Sequence, residues 1–433
     1  MGTRPSLPGG STALLPGLGN RPGLDGSRPG QLPARTPQER RDGLQDRLTS
    51  REQLGDRSRD DWQDRRDDIR EDWQDRYDDF YDRHDDWHHG CWDGNFSGWW
   101  DHMWDDHTAL MAFGTTMWGL NRLAYGFGYW GYENPYYTES YPIDGGAVLD
   151  YSQPIAAEAA PTEQPAGAPT PGMADFDAAR QAFYQGDYAA ALASTNKALA
   201  ALPNDPIIHE FRALVMFAQG KYKEAAAGLY SVLSVGPGWD WTTLSSLYPS
   251  VDVYTKQLRA LEAAVKQNPE AKDARFVLAY DYLTCGSKDA ATEQLKELYK
   301  ATPQDNVIKE LLLMTAGPEA LGASAAPAAT SPTEAPAVVA ADLIGTWTAA
   351  GQSGTKFELG LAADGKFSWN YTQDGKSQTV KGVYALDKNV LAMEPETGGV
   401  MLAEVTQPQG GRFAFQLLGA PPGDPGLKFA KIR

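Results

Sequence analysis

The chain holds only two cysteines, Cys91 and Cys285, among 433 residues, which excludes a disulfide scaffold and a four-cysteine zinc module. No apolar run reaches the roughly 18 residues that a membrane-spanning helix needs. Lysine is absent before Lys197, and every earlier basic residue except histidine is arginine. Positive charge is scarce overall: 39 Lys and Arg stand against 57 Asp and Glu, a net charge of −18. A nucleic-acid binder displaces phosphate counterions with Lys and Arg, so this balance argues against that class. Catalytic signatures are missing as well, with no G-x-S-x-G, H-E-x-x-H, C-x-x-C or dinucleotide fingerprint. Gly360 to Lys366 begins like a phosphate loop, but Phe367 stands where a magnesium-binding hydroxyl belongs, and an alternating strand follows in place of a helix. The reading is a protein that is not an enzyme and carries no cofactor, a divalent metal being the one candidate.

What is present divides the chain into unlike pieces. Residues 1–35 hold eight Gly and six Pro in a loose Pro/Gly/Arg theme. Such a composition buries too little apolar surface to offset ordering entropy, which predicts a disordered arm. Residues 36–107 carry 22 acidic and 11 basic residues, net −11. DDWQDRRDDIR at 60–70 returns as EDWQDRYDDFY at 71–81, and eleven residues are three helical turns, so an aromatic stripe stays near one face. This predicts a charged helix, solvated or paired with a copy of itself. His84, His88, His89, His102 and His107 crowd its end beside Cys91. On a continuing helix His84 and His88 stand at i, i+4, and Cys91 and His107 complete a candidate zinc or nickel set. The alternative, which the unfamiliar spacing favours, is a sticky aromatic surface without metal.

Residues 108–151 are Gly- and Tyr-rich and apolar, but Arg122 interrupts them after 14 uncharged residues. This is too short to span a bilayer; it predicts an apolar patch buried by self-association, the alternative being a segment that lies at a membrane interface or packs on a partner. Residues 152–172 and 315–341 are Pro/Ala-rich linkers. They bracket a helical block, 173–314, and leave a β-domain at 342–433.

Within the block, Gly186, Tyr188, Ala191 and Pro203 recur 34 residues later as Gly220, Tyr222, Ala225 and Pro237, and Gly286, Ala291 and Pro303 fall in the same phase. Gly permits the turn between helices, Ala their close approach, and Pro ends the second helix. The prolines 203, 237, 269 and 303 are spaced 34, 32 and 34, so the third unit is short, and Pro249 cuts its first helix. The pattern resembles the tetratricopeptide repeat. That resemblance implies a solenoid of about three to four helix pairs whose concave face binds a protein or peptide. The implied groove positions are Phe176, Arg180, Tyr184, Glu210, Phe217, Phe276 and Tyr280. An aromatic groove of this kind suits an apolar or Tyr-rich ligand, and the chain's own 108–137 stretch is one candidate.

From Asp342 the pattern alternates, with turns at Asp364-Gly365, Asp374-Gly375, Asp387–Asn389 and Gly398-Gly399. Seven or eight strands predict an antiparallel meander curled into a small barrel. Gly345-Thr346-Trp347 resembles the opening of lipocalins, which implies either a small-ligand cavity or, as favoured here, a filled core. The fold class is therefore multi-domain, an α-helical solenoid and an all-β barrel behind disordered and charged segments. The function expected is a non-catalytic scaffold; the alternatives are a metal binder and a small-ligand carrier. Two cysteines and no signal-peptide core fit the cytoplasm, while the linkers and β-domain would suit a bacterial envelope protein if the start were misassigned.

Overall fold

The computed structural model describes residues 35–55, 110, 117–137, 139–143, 148–155, 172–236, 238–239, 241–322, 337–351, 354–373 and 375–432. The expected disordered arm, the eleven-residue repeat, the histidine tract and most of both linkers lie outside these residues. A helix α1, Pro37–Gly55, comes first, and a short helix α2, Met117–Gly126, opens the aromatic stretch. A two-stranded ladder of β1, Tyr141–Pro142, and β2, Val148–Leu149, follows.

The repeat block begins with α3, Met173–Tyr184, and α4, Tyr188–Ala201, then α5, Pro206–Ala218, and α6, Tyr222–Leu233. The third unit supplies α7, Trp241–Ser246, and α8, Val251–Gln267. The block ends with α9, Lys272–Thr284, α10, Lys288–Ala301, and α11, Asn306–Ala316. Gly186, Gly220 and Gly286 each follow a first helix at φ +80°, +73° and +73°, and a Cβ on any of them would meet nothing within 4 Å. The glycine is needed there for the left-handed turn and not for space. Ala191, Ala225 and Ala291 are fully buried where the paired helices meet. Pro203 and Pro303 sit in the turns after the second helices; Pro237 lies outside the described residues. Asp205 and Asp305, two residues beyond those prolines, cap the next helices by accepting from Ile207 and Ile208 and from Ile308.

The stack departs from a regular repeat at the third unit. α6 packs directly on α9, and α7–α8 do not extend the stack between them. Six residues of α7, stopped before Pro249, are too short to make a stacking layer.

After a one-turn helix α12, Ala340–Leu343, eight strands follow: β3, Gly345–Ala350, β4, Lys356–Leu361, β5, Lys366–Gln373, β6, Lys376–Asp387, β7, Val390–Pro395, β8, Met401–Val405, β9, Arg412–Leu417, and β10, Leu427–Lys431. Each pairs antiparallel with the next, and β10 closes on β3 with Lys431 opposite Trp347. Closure removes the free sheet edges that would otherwise invite association. Gly365 and Gly375 take positive φ, +82° and +75°, in the hairpins foreseen around them.

The interior of the barrel is filled with rings. Trp369 meets Phe357, Phe415 and Phe429 at 5.4, 5.6 and 5.8 Å, and Trp347 meets Phe413 edge-on at 4.8 Å. Trp347, Phe357 and Trp369 are at most 2% exposed. These rings pack against one another inside the barrel.

Two elements from the first third of the chain complete the barrel, and all belong to one compact unit, Pro37–Arg433. α1 lies on β6 and β7 and buries Leu44 and Leu48 completely. Arg40 pairs with Glu394 at 3.0 Å and also donates to the Glu394 and Pro395 carbonyls. Phe127, just past α2, enters the barrel, stacking on Phe367 at 6.1 Å and meeting Trp369 at 5.6 Å. The described part of the aromatic stretch is thus buried within its own chain.

Candidate interaction surface

The first helices of a stacked repeat, here α3, α5 and α9, form the face on which the groove residues were placed. The third unit lies across that face. Tyr248 packs on Phe183 of α3 at 5.0 Å, Tyr254 on Phe217 of α5 at 6.4 Å, and Tyr254 donates to Asp281 of α9 at 3.1 Å. Gln257 of α8 donates to the Tyr188 hydroxyl at 2.7 Å. The backbone N–H of Trp239, just before α7, donates to Glu210 at 2.7 Å, and Tyr280 donates to the same carboxylate oxygen at 2.5 Å.

The seven groove positions therefore divide. Phe176, Glu210, Phe217, Phe276 and Tyr280 are all at most 6% exposed. Phe176 packs edge-on against Phe211, and Phe276 stacks on Tyr136 of the aromatic stretch at 5.0 Å. Those five are held by other parts of the chain and are not open to a partner in this structure. The reason is local: the third unit and the 117–155 segment carry the same kinds of ring that a peptide ligand would offer. Tyr184 is 53% exposed, and Arg180, one turn before it, is partly exposed beside Asp177.

The second contact face is α6, whose residues 225–233 are buried on every side. A helix apolar all round has neighbours all round. The segment 117–155 supplies one side by bonding to α6 and its C-terminal turn. Asn121 donates to the Ser234 carbonyl, Arg122 to that of Val235 and Asn134 to that of Ala227. Tyr132 donates to the Ser231 hydroxyl at 3.1 Å, and Gly228 lets Tyr151 approach so closely that a Cβ would sit 3.3 Å from its oxygen. The Tyr151 hydroxyl bonds His209 Nδ1, while His209 Nε2 donates to the Pro203 carbonyl. Burial drives His209 down to about 4, so the ring stays neutral. The chain's own Tyr-rich stretch thus rests on the repeats, mainly along α6 with Tyr136 reaching Phe276.

Buried acids mark both faces. Burial pushes Glu210, Asp281 and Glu310 up to about 8, the last while accepting from Asn121 at 2.5 Å. Asp205 and Asp305 rise to about 6 for the same reason. A neutral carboxyl both donates and accepts, which suits these sites among tyrosines and amides. Sequence reasoning missed Asn121, Asn134 and the caps Asp205 and Asp305. The caps were signalled by Pro-Asn-Asp and Pro-Gln-Asp ahead of each helix, whereas isolated Asn residues in a loop carry no comparable signal. The candidate metal residues His84, His88, Cys91 and His107 lie outside the described residues.

Comparison with known proteins bears on the same block. Residues 176–234 and 258–306, about a quarter of the chain, match the family model of the tetratricopeptide repeat. The gap between the two stretches covers α7 and the start of α8, where the chain leaves the stack. No curated protein matches the chain. Among solved structures, a thermophilic TPR protein of Thermus thermophilus is similar at 18% identity over 35% of this chain and 86% of its own, with a TM-score of 0.17. The family match and the glycine-turned helix pairs agree: residues 176–234 and 258–306 hold tetratricopeptide repeats.

Proposed function

We propose that this protein is a non-catalytic scaffold that binds a protein or peptide partner through its repeat block. The observation that carries this reading is the repeat block itself, since stacked helix pairs of this family typically present an extended surface to another chain. The concave face is largely taken by the third unit, so the partner meets it where it stays open, on α3 around Arg180 and Tyr184. An exposed tyrosine beside an arginine is a common anchor at protein interfaces. The barrel with α1 on it forms a second module, tied to the repeats through the aromatic segment that bonds to both.

The test is capture of partners by the immobilised full-length chain, beside the Arg180→Ala/Tyr184→Ala double variant. Loss of a discrete partner by the variant, with its fold intact by circular dichroism, supports the reading. Equal capture by both, or capture abolished only by deleting 56–109, would move recognition away from the repeats. An isolated 173–314 fragment is unsuitable, because it would bare the α6 surface that 117–155 covers.

A further inference from the structure

A cleft of about 190 Å³ opens where three distant parts of the chain meet. Gln304, Asn306 and Lys309 come from the turn into α11 and its first turns, Trp130 from the aromatic segment, and Pro421, Gly423, Asp424 and Pro425 from the loop between β9 and β10. Nothing in the proposed scaffold function uses it.

Lys309 and Asp424 both line the cleft, with no ion pair between them among the described residues. Among the described residues the Lys309 ammonium forms no ion pair or hydrogen bond, although the side chain is half-buried and burial pushes the ammonium down from the ordinary value. Asp424 is fixed through one oxygen, Oδ2, which accepts from the Tyr129 hydroxyl at 2.6 Å and from Gln416 at 2.8 Å. The neighbouring Asp305 accepts from the Tyr230 hydroxyl and from the amide of Ile308 and makes no contact ion pair with the lysine, but its charge, with those of Asp424 and Glu310, favours the ammonium from a distance. The cleft is smaller than the roughly 300–1,000 Å³ of a drug-sized site, which limits its occupant to about one residue in size.

We propose that this cleft binds a small zwitterion of the α-amino acid class, its carboxylate on Lys309 and its ammonium on Asp424. A simple anion would be repelled by Asp424 and a simple cation by Lys309, whereas a molecule with both charges meets a partner at each end. Trp130, Pro421 and Pro425 give the side chain apolar walls, and Gln304 and Asn306 offer amide groups to the remaining polar atoms. Because the walls come from the repeats, the inserted segment and the barrel, an occupied cleft would tie the three together.

Calorimetry on the full-length protein with the free L-amino acids, each beside its carboxamide and its N-acetyl form, tests this. At least one amino acid should bind with a Kd of about 1 mM or tighter, and its two blocked forms about tenfold more weakly or worse. Lys309→Met and Asp424→Asn should each weaken binding about tenfold or more, while exposed Lys256→Met leaves it unchanged. Were either variant unfolded by circular dichroism, Asn306→Ala takes its place and should also weaken binding. Absence of heat with every amino acid up to about 10 mM, equal binding of the blocked forms, or indifference to these substitutions would overturn the proposal.

Discussion

The indole N–H of Trp369 donates to the backbone carbonyl of Phe127 at 2.7 Å, joining residues 242 positions apart. Trp369 is fully buried among the rings of the barrel, so this bond places a piece of the N-terminal third inside the C-terminal domain. The next glycine, Gly128, has φ +63°, and a Cβ on it would fall 2.3 Å from the Tyr371 ring. Tyr129 then packs on Phe415 and accepts from the Leu417 amide. Three consecutive residues thus work as a plug.

Removing the plug ring should cost as much as emptying a core. Phe127→Ala is expected to lower stability by about 3–5 kcal/mol and to alter the emission of Trp369. Urea unfolding followed by tryptophan fluorescence measures both, and a change below about 1 kcal/mol would show that the ring is not a core residue.

The inter-helix glycines should respond through the backbone alone. Gly186→Ala, Gly220→Ala and Gly286→Ala each force a side chain into the left-handed region without a clash, at about 1 kcal/mol apiece. Asn at the same sites should cost less. Denaturant midpoints of the three single variants and of the triple variant, where additivity is expected, provide the check.

Stability should fall toward alkaline pH. Glu210, Asp281 and Glu310 have folded values near 8, above their unfolded values, so their contribution is complete below about pH 4 and is lost as pH rises through 8. His209 works in the other direction: its folded value near 4 lies below its unfolded value, so its share is complete above about pH 6.5 and is lost as pH falls through 4. With three acids against one histidine, the contribution of these groups to thermal stability should be greatest near pH 4 and fall from there to about pH 8. Glu310→Gln keeps an acceptor for Asn121 and should flatten the fall between about pH 5 and 8, by about 2 kcal/mol at its upper end. An unchanged pH profile for that variant would contradict the burial argument.

Asn121 is fully buried and its amide serves both the Ser234 carbonyl and Glu310. Asn121→Ala leaves both acceptors without a donor and is expected to cost about 2–3 kcal/mol. Faster amide exchange across 225–235 in the variant would show the segment loosening from α6.

How much of this was legible in the sequence depends on the range of the interaction. Gly186 and Gly220 at identical spacing, and Asp364-Gly365 between alternating runs, are local signals, and the helices and hairpins they announce are present. The placement of α7–α8 was not legible: proline spacing sets how long a unit is, not which helix it touches. The groove positions Glu210 and Tyr280 stand on the first helices, but the chain uses them to hold its own third unit. A run of four small residues, Ala225 to Gly228, did hint that α6 is approached from more than one side. Nothing in Gly126-Phe127-Gly128 says that its ring belongs inside a barrel built more than 200 residues later.

The pairing of α1 with the barrel has a consequence in time. Arg40 and Glu394 are 354 residues apart, and at about 5–20 residues per second a ribosome needs roughly 20–70 s to travel from one to the other. Throughout that interval Leu44 and Leu48 have been made but their seat on β6 and β7 has not. The nascent chain therefore emerges with a charged helix whose two buried leucines lack their seat until synthesis nears its end.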